Sequence, residues 1–205
     1  MCKGIFVVYG EPVPEQPTVV IPDTTQLKAL THPLRLRLLG LLRIHGPATA
    51  TALAEQVGES TGSTSYHLRQ LERHGFVADA AELGTRRERW WRASAQYTSA
   101  ASSSSGPAER DAKGAWRQVV VSQLASRLQL SVEEQDAMPE EWLGTIGSSD
   151  AVVHATLEQA HEIRRRLEAI IWEVLEQHPT PPDAAPEGTR PFEIQVHSYP
   201  RPERS

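Results

Sequence analysis

The run from Thr49 to Gly75 constrains this chain more than any other stretch. Thr49 can cap a short helix over about 50–57, with Leu53, Ala54 and Val57 facing inward and Gly58 as its left-handed terminator. Glu59-Ser60 leave only a two-residue turn before a second helix over about 61–74, on which Thr64, Leu68 and Leu71 share one face and which Gly75 ends. Phe76 to Ala80 and Arg86 to Ala93 then read as two strands around a Leu83-Gly84-Thr85 turn. Short helix, tight turn, second helix and hairpin, in that order, predict a second helix held at the surface.

The rest of the chain is organised around that unit. Residues 1–22 hold four prolines and no helical period, and read as an extended arm. Asp23 can cap a helical stretch in which Leu27, Leu30, Leu34, Leu38, Leu41 and Leu42 recur three and four apart, with Pro33 in the first turn of a second piece that stops at Gly46-Pro47. Residues 23–94 are thus read as one winged helix-turn-helix domain. The serine-rich stretch 95–110 is read as a linker, and 111–205 as a second module. In that module a helix over about 111–129 carries Trp116, Val119, Val120, Leu124 and Leu128 on one face. A short strand is expected at Val152 to Thr156, a regular helix at Leu157 to Gln177, and a half-buried strand at Pro191 to Tyr199. The expected fold class is mainly α with small β elements: a winged helix-turn-helix followed by a helical C-terminal module with short strands.

Charge divides along the same line. Residues 24–94 carry ten Arg/Lys against six Asp/Glu, a balance of +4, whereas residues 95–205 balance at −7 within a total of −5. A basic module joined to an acidic one suits a protein of which one part meets phosphates. No apolar run approaches the ~18 residues that span a bilayer, so no membrane partner and a cytoplasmic location are expected. Cys2 is the one cysteine, which excludes an internal disulfide and a multi-thiolate metal site in one chain.

With Thr64, Leu68 and Leu71 turned inward, the second helix directs Thr61, Ser63, Ser65, Tyr66, Arg69 and Arg73 outward, and Ser60 caps it. Small hydroxyls at a helix start allow close approach to a nucleic-acid groove about 12 Å wide, and arginine reaches guanine or phosphate. Arg86, Arg87 and Arg89 make the hairpin a basic wing. The expected DNA contacts are therefore Ser60, Thr61, Ser63, Ser65, Tyr66, Arg69, Arg73, Arg86, Arg87 and Arg89, and the expected partner is double-stranded DNA. His67 and His74 are read as packing or capping groups, and Trp90 and Trp91 as anchors between the hairpin and the C-terminal module.

Three stretches carry a family resemblance: Leu30-Thr31-His32-Pro33-Leu34-Arg35-Leu36-Arg37-Leu38-Leu39, then Ser65-Tyr66-His67-Leu68-Arg69-Gln70-Leu71, and His74-Gly75-Phe76-Val77. With the wing Gly84-Thr85-Arg86-Arg87-Glu88-Arg89-Trp90-Trp91, residues 27–93 resemble the winged helix-turn-helix of ArsR-type bacterial regulators, of the larger kind with a C-terminal extension. The resemblance implies a homodimer on an operator of twofold symmetry. It also implies that Ser65, Tyr66 and Arg69 face the groove and that Arg86 and Arg87 form the wing. The Cys-x-Cys pair of metal-sensing members is missing here, and His154 and His161 are seven apart, so no metal and no cofactor are expected.

For dimerisation two surfaces stand out: Leu34, Leu38 and Leu41 on the early helix, and Ile163, Leu167, Ile170 and Val174 at alternating three- and four-residue spacing on the 157–177 helix. The extension leaves room for a small-molecule effector whose binding would alter the spacing of two recognition helices. The resulting expectation is a dimeric transcriptional regulator, a repressor more than an activator. The competing reading is a winged-helix module that binds a protein partner without DNA. With no phosphate-cradling glycine loop and no nucleophile motif, an enzyme is not expected.

Overall fold

The structure is a computed structural model, which describes residues 19–84, 88–98, 106–178 and 187–201. Its first half is built from β1 (Val19–Val20), α1 (Thr24–Ala29), α2 (Pro33–His45), β2 (Ala48–Thr49), α3 (Ala50–Val57), α4 (Thr61–Arg73), β3 (Val77–Asp79), β4 (Trp90–Ala93) and β5 (Tyr97–Thr98). Then follow α5 (Pro107–Glu133), a 3-10 turn (Gln135–Ala137), α6 (Glu140–Leu143) and α7 (Leu157–Gln177). The mainly α architecture with a small sheet agrees with the sequence reading.

Local chemistry sets the helix ends where the sequence placed them. The Asp23 side chain accepts from the Gln26 N–H while the Gln26 side chain accepts from the Asp23 N–H, a reciprocal cap that starts α1. Pro33 stands at the first position of α2, and Thr49 accepts from the Ala52 N–H to start α3. Gly58 ends α3 at φ 71, ψ 32, a left-handed conformation that a side chain would strain.

Leu30, Leu38, Leu39, Leu42, Leu53, Leu68, Leu71, Phe76, Val77 and Trp91 form the core, gathered from α2, α3, α4 and the wing strands. Three antiparallel strands in the order β2-β4-β3 close one side, with Ala48 paired to Trp91 and Val77 to Ala93. Trp91 is therefore a core residue of the winged domain, and the partly buried Trp116 of α5 packs on the same cluster.

Several boundaries differ from expectation. Val19 and Val20 pair in parallel with Tyr97 and Thr98, so the end of the expected arm and the start of the expected linker form a two-stranded sheet. The Arg43 guanidinium holds that sheet to α2, donating to the Ala95 carbonyl at 2.8 Å and to Thr98 Oγ1 at 2.7 Å. α5 starts at Pro107, inside the expected linker, and its buried Ala112 and Lys113 face α1. The strands expected at Val152 to Thr156 and Pro191 to Tyr199 are absent: 151–156 and 189–200 are coil. Period-two sequence needs a neighbouring strand to pair with, and none lies beside either segment among the described residues. Thr156 instead caps α7, accepting from the Gln159 N–H, so α7 spans Leu157–Gln177 as predicted.

Candidate nucleic-acid interface

α3 and α4 meet across the Gly58–Ser60 turn, and α4 rests on the core through Thr64, His67, Leu68 and Leu71, all buried. This leaves one side of α4 facing solvent. Ser60, Thr61, Gly62, Tyr66, Arg69 and Arg73 are exposed there, and Ser63 and Ser65 are half-exposed. Ser60 is the cap, its Oγ accepting from the Ser63 N–H at 3.1 Å. Tyr66 is 54% exposed, a large ring on an otherwise small-residue surface. All seven α4 and cap residues expected to meet DNA thus lie on one continuous face.

Several other arginines of the basic domain are committed elsewhere. Arg35 donates to the Ala29 carbonyl (2.7 Å) and to His67 Nδ1 (3.4 Å), and Arg37 donates to the carbonyls of Val57 and Gln56 at the end of α3. Arg92 pairs with Glu82 at 2.6 Å. Arg43 is drawn down to about 10 by burial, which still leaves it protonated at neutral pH beside the C-terminal end of α2. Arg69 and Arg73 have no ion pair among the described residues, so their charge is free to meet an outside anion.

The wing divides in the same way. Arg89, expected among the DNA contacts, is held between Asp79 (2.9 Å) and Glu72 (2.5 Å), with its guanidinium 4.0 Å from the Trp91 ring centre. It ties the wing to α4 with its charge already matched. Gly84 shapes the wing turn: a Cβ there would lie 3.0 Å from the Glu88 carbonyl oxygen. Arg86 and Arg87 lie outside the described residues.

Sequence reading missed the residues that fix the tilt of α4. Gln26 Nε2 donates to the His74 carbonyl at 3.0 Å, joining the start of α1 to the end of α4. At the middle of α4 the His32 and His67 rings stand 4.3 Å apart, with Arg35 beside them. Burial, then His32, then Arg35 hold the His67 imidazole below its ordinary value, against an opposing pull from Glu59. These partners are 32 and 48 residues apart in the chain, and no periodicity links them.

The dimerisation residues separate too. Leu38 is fully buried within its own chain, so it belongs to the core and cannot form a surface between copies. Leu34 and Leu41 are half-buried against that core. On α7, Leu167 and Val174 are half-buried while Ile163 and Ile170 are 38% and 56% exposed. Among the described residues no group of three or more His, Cys, Asp or Glu could hold a metal ion, and no helix is long and apolar enough to cross a membrane.

Comparison with known proteins bears on the same segment. Residues 30–79 match a protein-family model described as a helix-turn-helix domain. A similar solved structure is the homodimeric winged helix-turn-helix DNA-binding domain of a possible ArsR-family transcriptional regulator from Mycobacterium bovis. It is 19% identical over 52% of this chain and 81% of that fragment, and its TM-score of 0.32 is too low to transfer positions. No curated protein matches the chain. Family match and element order agree that residues 30–79 form a helix-turn-helix domain, followed here by a wing of antiparallel strands.

Proposed function

We propose that the protein binds an operator of twofold symmetry as a homodimer and represses transcription by occupying it, with α4 in the major groove. The exposed face of α4 carries this reading: among the described residues Arg69 and Arg73 have no ion pair there, while Arg89 and Arg92 pair with carboxylates and Arg35 and Arg37 spend their N–H groups on backbone carbonyls. In this arrangement Ser60, Thr61 and Ser63 approach the backbone, Ser65, Tyr66 and Arg69 read base edges, and Arg73 meets phosphate. Arg86 and Arg87 supply the wing's charge. Arg89 acts indirectly, by setting where the wing stands. A small-molecule effector on the C-terminal half would change affinity by altering how the two α4 helices are spaced.

Selection of the purified protein from a random DNA pool tests this directly. Enrichment of a symmetric site with half-sites about one helical turn apart, 10–10.5 base pairs, is expected. On that site Arg69→Ala should weaken binding about 10–100-fold and relax preference at one base position. Arg73→Ala should weaken all sequences alike and lower the salt slope by about one. No enrichment from a folded sample, or affinity that does not fall with rising salt, would overturn the DNA reading in favour of a protein partner.

A further inference from the structure

α7 carries an apolar stripe that its own chain covers on one side only. Ala160, Ile163, Leu167, Ile170 and Val174, with the polar Gln177 after them, are spaced alternately three and four apart, the a and d positions of a heptad. On one flank of this stripe Arg164, Glu168, Ile171, Trp172 and Leu175 are half-buried, and the Trp172 ring stands edge-on to Tyr97 at 5.7 Å. On the other flank lie the exposed Ile163 and Ile170, bordered by the exposed Arg166 and Glu173.

The charges of α7 point to what covers that flank. Arg164 is paired with Glu168 and Arg165 with Glu162, both within the helix. Arg166 has no ion pair among the described residues, and Glu173 receives only the Gln177 amide, at 3.2 Å, among them. Seven residues separate these two charges, about 10.5 Å along one helix, so they cannot meet in the same chain. Both occupy the g position that borders the open stripe.

Resting on the homodimer reading above, we infer that a second copy of this chain packs its α7 antiparallel on this flank. Leu167 of each helix then lies level with Ile170 of the other, Ile163 with Val174, and Ala160 with Gln177. That register sets Arg166 of each protomer opposite Glu173 of the other, twice by symmetry. A parallel pairing would instead place Arg166 across from Ile171, leaving its charge unmet, and Glu173 across from His178 at the helix end. The occupant is therefore a copy of the same helix, run in reverse.

Sedimentation of the full chain across a concentration series, with charge reversals, tests the register. Arg166→Glu alone and Glu173→Arg alone each set like charges opposite each other twice, and each should weaken self-association about tenfold. Mixed in equal amounts, the two variants should recover parental affinity as a heterodimer, because every facing pair is then opposite in sign. The double variant should recover it as a homodimer. Circular dichroism confirms that these exposed changes leave the helix content intact. Single variants that associate like the parent, or a mixture that does not recover, would overturn the α7 pairing and leave the homodimer reading standing on another surface. A parent that sediments as a monomer throughout would remove both.

Discussion

At position 64 helix α4 turns a hydroxyl into the core. Thr64 is fully buried, and its Oγ1 meets no hydrogen-bond partner among the described residues. A buried polar atom left unpaired costs about 1–3 kcal/mol, and valine has nearly the same shape without it. Thr64→Val should therefore raise stability by about 1 kcal/mol, read as a higher denaturant midpoint at unchanged m-value. His67 is the second residue on this face with a testable consequence. Its folded-state pKa lies below the ordinary 6.5, so the unfolded chain binds the proton more readily. Its contribution to stability is complete above pH 6.5 and is lost as pH falls from 6.5 through the lowered folded value. His32, Arg35, Glu59 and Tyr66 surround it, and the first two oppose a new positive charge. Between pH 7.5 and 5.5 the parent should lose more stability than His67→Gln, compared as the difference in urea midpoints. Equal slopes would mean that other groups carry the pH dependence.

Among the elements, those closed by local chemistry were legible from sequence. α3, α4 and α7 run from a capping Thr or Ser to a terminator, and each decision involves residues three or four apart. The outward face of α4 was legible for the same reason, since Thr64, Leu68 and Leu71 fix the rotation of the helix. Strands were harder. β2 and β5 are two residues long, and no alternation can be read from two residues. Phe192 to Val196 has the alternation without a neighbour to bond, and the β-branched Val152-Val153 pair meets none either. Arg89 was legible as a wing cation, but its pairing with Glu72 and Asp79 is a property of the folded hairpin packed against α4. Removing it should loosen the wing more than it weakens a phosphate contact. Arg89→Ala is expected to lower thermal stability and to leave the salt slope of DNA binding unchanged, the reverse of the pattern for Arg73→Ala.

Across the molecule, burial stops partway along the chain: no described residue beyond Lys113 is buried. The winged domain, closed by the N-terminal part of α5, has a complete core, whereas Val121, Leu128 and Val132 of distal α5 are 46%, 50% and 64% exposed on one face. Stability and assembly are therefore separable. A chain ended after residue 138 keeps α1 to α5 and every core contact. It should unfold near the parent's midpoint while binding a symmetric operator at least about tenfold more weakly, since the α7 pairing inferred above would no longer join two readers on one site. An isolated 24–94 segment would lose Ala112 and Trp116 from the core as well, so weak binding by it would confound folding with assembly.

α5 has the mechanical character of a lever. Its first turns are wedged against α1 and the core, and it continues without interruption for 27 residues, about 40 Å. A rod of that length tilted by about 5° at its free end moves that end by about 3.5 Å while its anchored turns barely shift. Run backwards in the proposed dimer, the same geometry gears down: a displacement of several ångströms where two copies meet would return to the two α4 helices as a small rotation. The proposed spacing on DNA would then be adjusted in fine steps by coarse motions far from it.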